Sequence, residues 1–142
     1  MDRPPTADNL AYLLARANRR LASRLATAFK PLGISVDMWF ALDALAETPG
    51  LPMTQIADHL SHNLPTVTKL VDRMVSDNLV YRKPHHSDRR RVLIFPTQRG
   101  LDLAHEASAI AQEIVAGLLG QLGGTGKTRS LLGLLARLGS LD

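Results

Sequence analysis

Apolar residues recur every three or four positions along most of the chain, which is the spacing of one face of an α-helix. The first stripe predicts a long helix that ends at Pro31 and Gly33. Ser35 is a natural N-cap for a second helix over residues 36–46, and Asp37 is favourable near its start. The stripe of the first helix consists of Leu10, Leu13, Leu14, Ala17, Leu21, Leu25 and Ala28.

Two further helices are predicted after the turn TPGLP. The third is short, over residues 54–60, and Thr54 is placed to cap it. After a three-residue break, a fourth helix is predicted over residues 64–77, with Asn63 as its N-cap and Pro65 in its first turn, where a missing N–H is tolerated. Its buried stripe is expected to contain Val67, Leu70, Val71, Met74 and Val75.

The hydrophobic period then changes from that of a helix to that of a strand. Residues 79–82 and 91–95 are predicted to be two strands joined by a turn over residues 83–88. Thr97 is expected to cap a long fifth helix, and a last helix is predicted over residues 127–138. The fifth helix is apolar on two flanks and therefore needs more partners than a small domain offers, which predicts a dimer interface.

These elements predict a mainly α protein with a small β-hairpin, in the order α-α-α-α-β-β-α-α. A winged helix-turn-helix has the same order of elements: a short helix, a turn, a second helix, a strand, a basic turn and a second strand. This fold places one helix in a DNA major groove. The predicted DNA-binding domain covers residues 34–100. A helical dimerisation region is predicted over residues 9–30 and 101–142, and residues 1–8 are predicted to be a mobile start.

Charge is concentrated in one segment of the chain. The net charge is +4 and the isoelectric point is near 10. Residues 63–100 contain eight basic and three acidic residues, whereas residues 101–142 contain three basic and four acidic ones. A local excess of this kind is what a surface for a polyanion requires.

The chain contains no cysteine, which excludes disulfides and thiolate metal sites. The first ten residues have no apolar signal core. The late uncharged run of residues 114–126 is far shorter than the roughly 20 apolar residues that span a bilayer. We expect a soluble, cytoplasmic protein with no membrane partner and no cofactor.

The outward residues of the fourth helix are candidates for contact with DNA. Thr66, Lys69 and Arg73 share one face because they are three and four positions apart. Asn63, Pro65, Thr66, Thr68 and Lys69 lie at the N-terminal end, from which base edges are reached, and the later Arg73 suits a phosphate. The alternative is an ordinary solvated helix face, which the adjacent short helix and basic hairpin make less favourable.

The basic turn between the two strands is the second candidate. An arginine at a hairpin tip fits a narrow minor groove, where the negative potential is strongest. Asp88 is expected to accept hydrogen bonds from a nearby arginine and fix its direction. The alternative is a solvated charged turn. The candidate residues of this wing are Lys83, Asp88, Arg89, Arg90 and Arg91.

The chain resembles the MarR family of winged-helix regulators over about residues 10–138. The second helix is similar through Ile34-Ser35-x-x-Met38-Trp39-x-Ala41-Leu42-x-x-Leu45. The helix-turn-helix is similar through Ile56-Ala57-x-x-Leu60 and Pro65-Thr66-Val67-Thr68-x-Leu70-Val71-Asp72-x-Met74. The wing motif Asp-x-Arg matches residues 88–90, and the Thr-x-x-Gly that opens the next helix matches residues 97–100.

This resemblance implies a homodimer that binds a pseudo-palindromic operator in double-stranded DNA, with Arg90 as the wing arginine. It implies a transcriptional regulator, most often a repressor, and a small-molecule effector that releases it. In the family a small-molecule pocket often lies between the dimerisation helices and the DNA-binding domain. Trp39 is a candidate to line it, although a lone tryptophan is more often a core residue.

The chain departs from the family pattern at two places. Pro96 replaces a usual leucine before Thr97. His62 stands in the tight turn where an apolar residue is common. We favour a polar residue that is tolerated at a partly exposed turn, and the alternative is a turn whose packing depends on pH.

Other readings of the sequence are weaker. The segment 123–128, GGTGKT, resembles a P-loop, but position 121 is Gln and a helix is predicted before it instead of a strand. His85 and His86 are adjacent and chelate one metal ion poorly. No catalytic set stands out, so we expect no enzyme and no metal site. A winged-helix module that binds an acidic protein remains the main alternative to a DNA-binding regulator.

Overall fold

The computed structural model describes residues 4–141, which contain six α-helices and three β-strands. They form two compact units, the first ending at Ser108 and the second starting at Ala109. Helix α5 contributes residues to both. The helices are α1 (Leu10–Phe29), α2 (Val36–Glu47), α3 (Met53–Leu60), α4 (Leu64–Ser76), α5 (Gln98–Gly120) and α6 (Thr125–Gly139), and the strands are β1 (Leu51–Pro52), β2 (Val80–Pro84) and β3 (Val92–Pro96).

Side-chain caps begin α2 and α4 where the sequence predicts them. The Ser35 hydroxyl accepts a hydrogen bond from the Met38 N–H at 3.1 Å and caps α2. Asn63 caps α4 in the same way. The prediction that Thr54 caps the third helix is wrong, because α3 already begins at Met53, and Pro52 in its N-cap position makes no side-chain cap bond.

The start of the described chain contains a short turn. Residues Ala7–Asn9 form a 3-10 helix in which the buried Asn9 accepts a hydrogen bond from the Thr6 N–H at 3.0 Å. Of the segment expected to be mobile, residues 1–3 lie outside the described residues. The mobility of residues 4–8 stays a prediction.

The sheet has three strands and not the two predicted. Its order is β1-β3-β2, and both pairs are antiparallel. The residues of β1 were predicted to be part of a turn, because two residues carry no alternation of apolar and polar positions. Gly50 precedes β1 with φ +85° and donates its N–H to Ile94 at 3.0 Å, and an added Cβ there would lie 2.9 Å from the Phe95 ring.

The hairpin of β2 and β3 is longer than predicted. Its register pairs Val80 with Pro96 and Pro84 with Val92, so both prolines belong to the strands. Val80 and Ile94 are buried, whereas Tyr81 remains exposed and stacks on Phe95 with ring centroids 5.5 Å apart. One face of the hairpin therefore packs on the core and the other faces solvent, as is common in antiparallel sheets.

The core of the first unit combines residues from α1 to β3. Its fully buried side chains share an apolar character and come from helices and strands alike: Phe29, Leu42, Leu45, Ile56, Val67, Val71, Met74, Leu79, Val80 and Ile94. The buried residues of α4 belong to the stripe that the sequence predicts. In contrast, Leu25 is the one buried member of the predicted α1 stripe, while Leu10 and Ala17 are exposed.

The motif Thr-x-x-Gly at the start of α5 has a steric basis. Thr97 accepts a hydrogen bond from the Gly100 N–H at 3.0 Å and donates its own hydroxyl to the Asn78 carbonyl at 2.7 Å. A Cβ on Gly100 would lie 2.1 Å from the Leu79 carbonyl oxygen. The helix start and the chain before β2 therefore approach closely enough that only glycine fits.

The second unit contains the end of α5 and helix α6. Within it, the leucines of α6 are exposed, at 38% for Leu131, 63% for Leu134 and 41% for Leu135. An apolar stripe that the chain itself leaves in solvent is typical of a surface that another subunit covers.

Candidate nucleic-acid interface

The turn between α3 and α4 is fixed by its backbone. Ser61 has φ +55°, a left-handed conformation that few residues other than glycine adopt. The N–H groups of Ser61 and His62 donate to the carbonyls of Asp58 and Ala57 at 3.2 and 3.1 Å. Asn63 then accepts a hydrogen bond from the Thr66 N–H at 2.9 Å, so α4 starts with a satisfied N-terminus.

Helix α4 separates its core side from an exposed side at its N-terminal end. Pro65, Thr66, Thr68 and Lys69 are all exposed. The Thr68 hydroxyl donates to the Leu64 carbonyl at 2.9 Å, so its proton is used within the helix and its methyl group remains available. The sequence therefore predicts the exposed set correctly, and the structure brings it together at one end of the helix.

Asp72 is paired with Arg82 of strand β2. The Arg82 guanidinium donates to the Asp72 carboxylate, and their side chains are 36% and 60% exposed. Arg82 is one of the eight basic residues of the segment 63–100, and the sequence predicts no role for it. The two residues are ten positions apart in different elements, so no periodicity indicates their contact.

Arg73 is held by a local acidic residue. Its Nε donates to the Asp77 carboxylate at 2.9 Å, four positions later on the same helix. The Arg73 side chain is nevertheless 70% exposed. Arg99 donates to the Asp77 carbonyl at 3.3 Å, so two guanidinium groups meet at this residue. A phosphate contact by Arg73 would have to share the guanidinium with Asp77.

The wing turn is built on Asp88. Its carboxylate accepts a hydrogen bond from the backbone N–H of Arg90 at 3.1 Å, and its carbonyl accepts one from the Arg91 N–H at 3.0 Å. Asp88 therefore fixes the backbone of the turn, and among residues 4–141 no arginine side chain forms an ion pair with it, so its predicted control of an arginine's direction stays a prediction. Such a turn leaves the side chains of Arg89, Arg90 and Arg91 exposed, and Lys83 is exposed on β2.

Trp39 is half-buried in the first unit. Its indole N–H donates to the Ser108 hydroxyl at 2.9 Å, and the ring meets Phe29 edge-on at 5.4 Å. Next to it, a cavity of about 370 Å³ lies between α1 and the start of α2. Phe40 and Asp37 line this cavity, but Trp39 does not, so the residue chosen from the sequence is beside the cavity and not in its wall.

His62 connects the turn before α4 to helix α2. Its Nε2 lies 3.0 Å from the Asp37 carboxylate oxygen, and the two side chains are 37% and 44% exposed. A polar residue at a partly exposed turn, as expected from the sequence, is what the structure shows. The contact with Asp37 depends on the fold, since 25 residues separate the two.

The glycine-rich segment and the adjacent histidines are the two other candidate sites in the sequence. Gly124 precedes helix α6 and follows the end of α5, where a P-loop would follow a strand. The rings of His85 and His86 stack at 4.4 Å. Among residues 4–141, no group of three or more His, Asp or Glu side chains could hold a metal ion.

None of the helices within residues 4–141 is long and apolar enough to cross a bilayer.

Comparison with known proteins gives consistent matches. Residues 34–92 match the model of the MarR family. A probable transcriptional regulator from Pseudomonas aeruginosa is 30% identical, with a TM-score of 0.81 over 92% of this chain and 97% of that one. The MepR protein of S. aureus, solved as a DNA complex, is 25% identical, with a TM-score of 0.80 over 93% and 98% of the two chains.

A third relative is known both as a sequence and as a structure. The HTH-type transcriptional repressor Rv2887 of Mycobacterium tuberculosis is 28% identical over 92% of this chain and 94% of its own length. Its structure in complex with p-aminosalicylic acid has a TM-score of 0.74, 27% identity, and coverage of 92% and 98%.

Proposed function

This chain belongs to the MarR family, and from that membership we propose that it binds operator DNA as a homodimer and represses transcription. Like the other members of this family, it is a transcription regulator and not an enzyme. One observation carries the assignment to particular residues. The exposed N-terminal end of α4, which carries Lys69, and the exposed arginines after β2 are the two surfaces that a winged helix uses for the major and minor grooves.

The relatives support the binding of DNA, the repression and the response to a small molecule. MepR forms a complex with DNA, and Rv2887 is a repressor that binds p-aminosalicylic acid. By analogy with them, this chain is a DNA-binding repressor whose affinity for its operator responds to a small-molecule effector. Since its target is chromosomal DNA, its place of action is the cytoplasm.

The candidate residues divide into two groups by their chemistry. Thr66, Thr68, Lys69 and Arg90 are assigned most of the selectivity, because they lie where base edges and the minor groove are reached. Asn63 and Pro65 shape the entry of α4 into the groove, and Asp88 shapes the wing. Phosphate contacts are assigned to Arg73, Lys83, Arg89 and Arg91, which supply affinity without sequence preference.

The arrangement of the dimer follows from the division of the chain. Residues 34–100 form the DNA-binding domain, and residues 9–30 together with 101–142 hold two copies together. A pseudo-palindrome requires the two recognition helices to be about 34–36 Å apart, which is one turn of DNA. The exposed leucines of α6 support this assignment, since a monomer gains nothing from an apolar surface in solvent.

Selection from a random library of DNA duplexes tests the function. We expect the purified protein to enrich one pseudo-palindromic sequence. With about six to ten phosphate contacts per dimer, its affinity should fall by roughly 10³ to 10⁵ between 50 and 200 mM salt. If no sequence is enriched, the winged-helix module for an acidic protein becomes the better account. A salt-independent complex would contradict the assigned phosphate contacts.

A further inference from the structure

The cavity between α1 and the start of α2 has the size and the lining of a small-molecule site. Its volume of about 370 Å³ lies in the range of sites that hold compact ligands, roughly 300–1,000 Å³. Asn18, Ala22 and Ala26 of α1 form one wall, four residues apart along one side of that helix. Asp37 and Phe40 form part of the opposite wall.

The charge of this lining indicates the chemistry of the ligand. Asp37 is its one charged side chain, and none of the described residues that line it is a lysine or an arginine. Phe40 is 41% exposed, and its ring lies 5.1 Å from that of Trp39, which a hydrogen bond to Ser108 holds in place. A carboxylate beside a supported aromatic face favours an organic cation with an apolar body. The full negative charge of Asp37 outweighs the partial positive charge at the N-terminus of α2, so an acidic ligand is disfavoured.

Asp37 also connects the cavity to the turn before helix α4. Its carboxylate lies 3.0 Å from His62 Nε2. His62 directly precedes Asn63, whose side chain caps α4, and its own N–H is bonded to the Ala57 carbonyl of α3. A ligand that binds the Asp37 carboxylate therefore replaces its contact with His62, which holds the turn before α4 in position.

We propose that this cavity binds a small aromatic amine through Asp37 and Phe40. The bound amine releases His62 from Asp37 and lowers the affinity of the protein for DNA. The effect on DNA rests on the proposed function, whereas the binding of the amine does not. The ligand acts by differential affinity. It binds best when Asp37 is free, and the turn before α4 is held best when Asp37 is occupied by His62.

Calorimetry with a matched pair of probes tests the site without DNA. The probes are 2-phenylethylamine and 3-phenylpropanoic acid, which have similar shapes and opposite charges. We expect the amine to bind at least about tenfold more tightly than the acid, and Asp37→Asn to remove most of that difference, because a charge-assisted hydrogen bond is lost. Asp43→Asn removes an equal charge at an exposed position of the same helix and should leave amine binding unchanged. Equal binding of both probes, or full amine binding by Asp37→Asn with wild-type unfolding behaviour, overturns the proposal.

Operator titrations with and without saturating amine test the coupling. We expect the amine to lower the affinity of the wild-type protein for its selected operator, and His62→Gln to bind the amine but lose this response. An operator affinity that the bound amine leaves unchanged in the wild-type protein overturns the coupling through His62. If the protein enriches no DNA sequence at all, the proposed function fails, while the calorimetric result still decides whether the cavity is an amine site.

Discussion

Hydrogen bonds between single side chains and the backbone shape the turns that border the proposed DNA surface. Asn63 caps helix α4, Asp88 accepts a hydrogen bond from the Arg90 N–H in the wing, and Thr97 accepts one from the Gly100 N–H at the start of α5. Asn, Asp and Thr suit these positions because their short polar side chains reach a backbone group two or three residues away. These three residues therefore act by shaping the turns beside the proposed DNA surface.

Arg90 is expected to be the wing residue with the largest effect on DNA binding. Replacing it by alanine should lower operator affinity by about tenfold or more, because an arginine in a narrow minor groove is held by a concentrated negative potential. Fluorescence anisotropy with the selected operator measures the change, and light scattering checks that the dimer persists. Arg20→Ala removes an exposed arginine from α1 and serves as the control. Equal affinities for the two variants would rule out the assigned role of Arg90.

Gly100 should be intolerant of even one added carbon. Gly100→Ala places a Cβ 2.1 Å from the Leu79 carbonyl oxygen, so the backbone must move. Overpacking of this kind costs about 1–3 kcal/mol of unfolding free energy. Gly117→Ala on the same helix meets nothing within 4 Å and should raise stability by roughly 0.5–1 kcal/mol through helix propensity. Urea unfolding followed by circular dichroism compares them, and a stable Gly100→Ala variant would show that the close approach is relaxed in solution.

At the level of elements, helix α4 is connected to its neighbours by polar contacts as well as by its buried face. Asp72 forms an ion pair with Arg82 of β2, and Arg99 of α5 donates a hydrogen bond to the Asp77 backbone carbonyl, while Asp77 forms a local ion pair with Arg73. Such exposed pairs add little stability, about 0.2–1 kcal/mol in measured cases. Their consequence is geometric, because the pair with Arg82 joins α4 directly to the strand that leads into the wing.

Substitutions at Asn63 should separate its role as a cap from its role at the DNA surface. Asn63→Ala removes the bond to the Thr66 N–H and should cost about 1 kcal/mol of unfolding free energy. Asn63→Asp keeps an accepting oxygen and should keep stability, but it adds a negative charge near phosphates and should weaken operator binding. Chemical unfolding and anisotropy together measure both effects. An Asn63→Asp variant that binds the operator normally would mean that this end of α4 does not approach the phosphates.

At the level of the whole molecule, function depends on a second copy of the chain. One copy presents one recognition helix and one wing, whereas a pseudo-palindrome offers two half-sites. The chain leaves apolar side chains exposed on α1 and α6, including Leu10 at 46% and Leu134 at 63%. These exposed surfaces fit a protein whose folded monomer is only half of the functional unit.

Charges placed on the apolar side of α6 should therefore disrupt the dimer. The double variant Leu131→Lys and Leu135→Lys is expected to be monomeric by analytical ultracentrifugation and to lose most operator affinity, because two buried ammonium groups would face each other or apolar side chains. Ser130→Lys adds a charge to the same helix at a polar position and should remain dimeric. A double variant with the mass of a dimer would place the subunit contact elsewhere.

The sequence by itself determined the elements, because they follow from local spacing and capping. Hydrophobic periodicity predicted the six helices and the hairpin, and Ser35, Asn63 and Thr97 cap helices where they were expected to. The exposed residues of α4 also follow from periodicity, since a helix that buries Val67, Val71 and Met74 must turn the others outward. Local rules failed at strand β1, which is too short to show a period.

Only the tertiary structure decided which distant residues meet. The pairs Asp72–Arg82, Asp37–His62 and Trp39–Ser108 join positions 10, 25 and 69 residues apart. No spacing along a chain encodes such contacts, because they depend on how separate elements pack against each other. The same is true of Gly100, whose motif was recognised in the sequence but whose reason is a carbonyl oxygen of another segment. The cavity beside Asp37 likewise exists only because α1 and α2 are packed together.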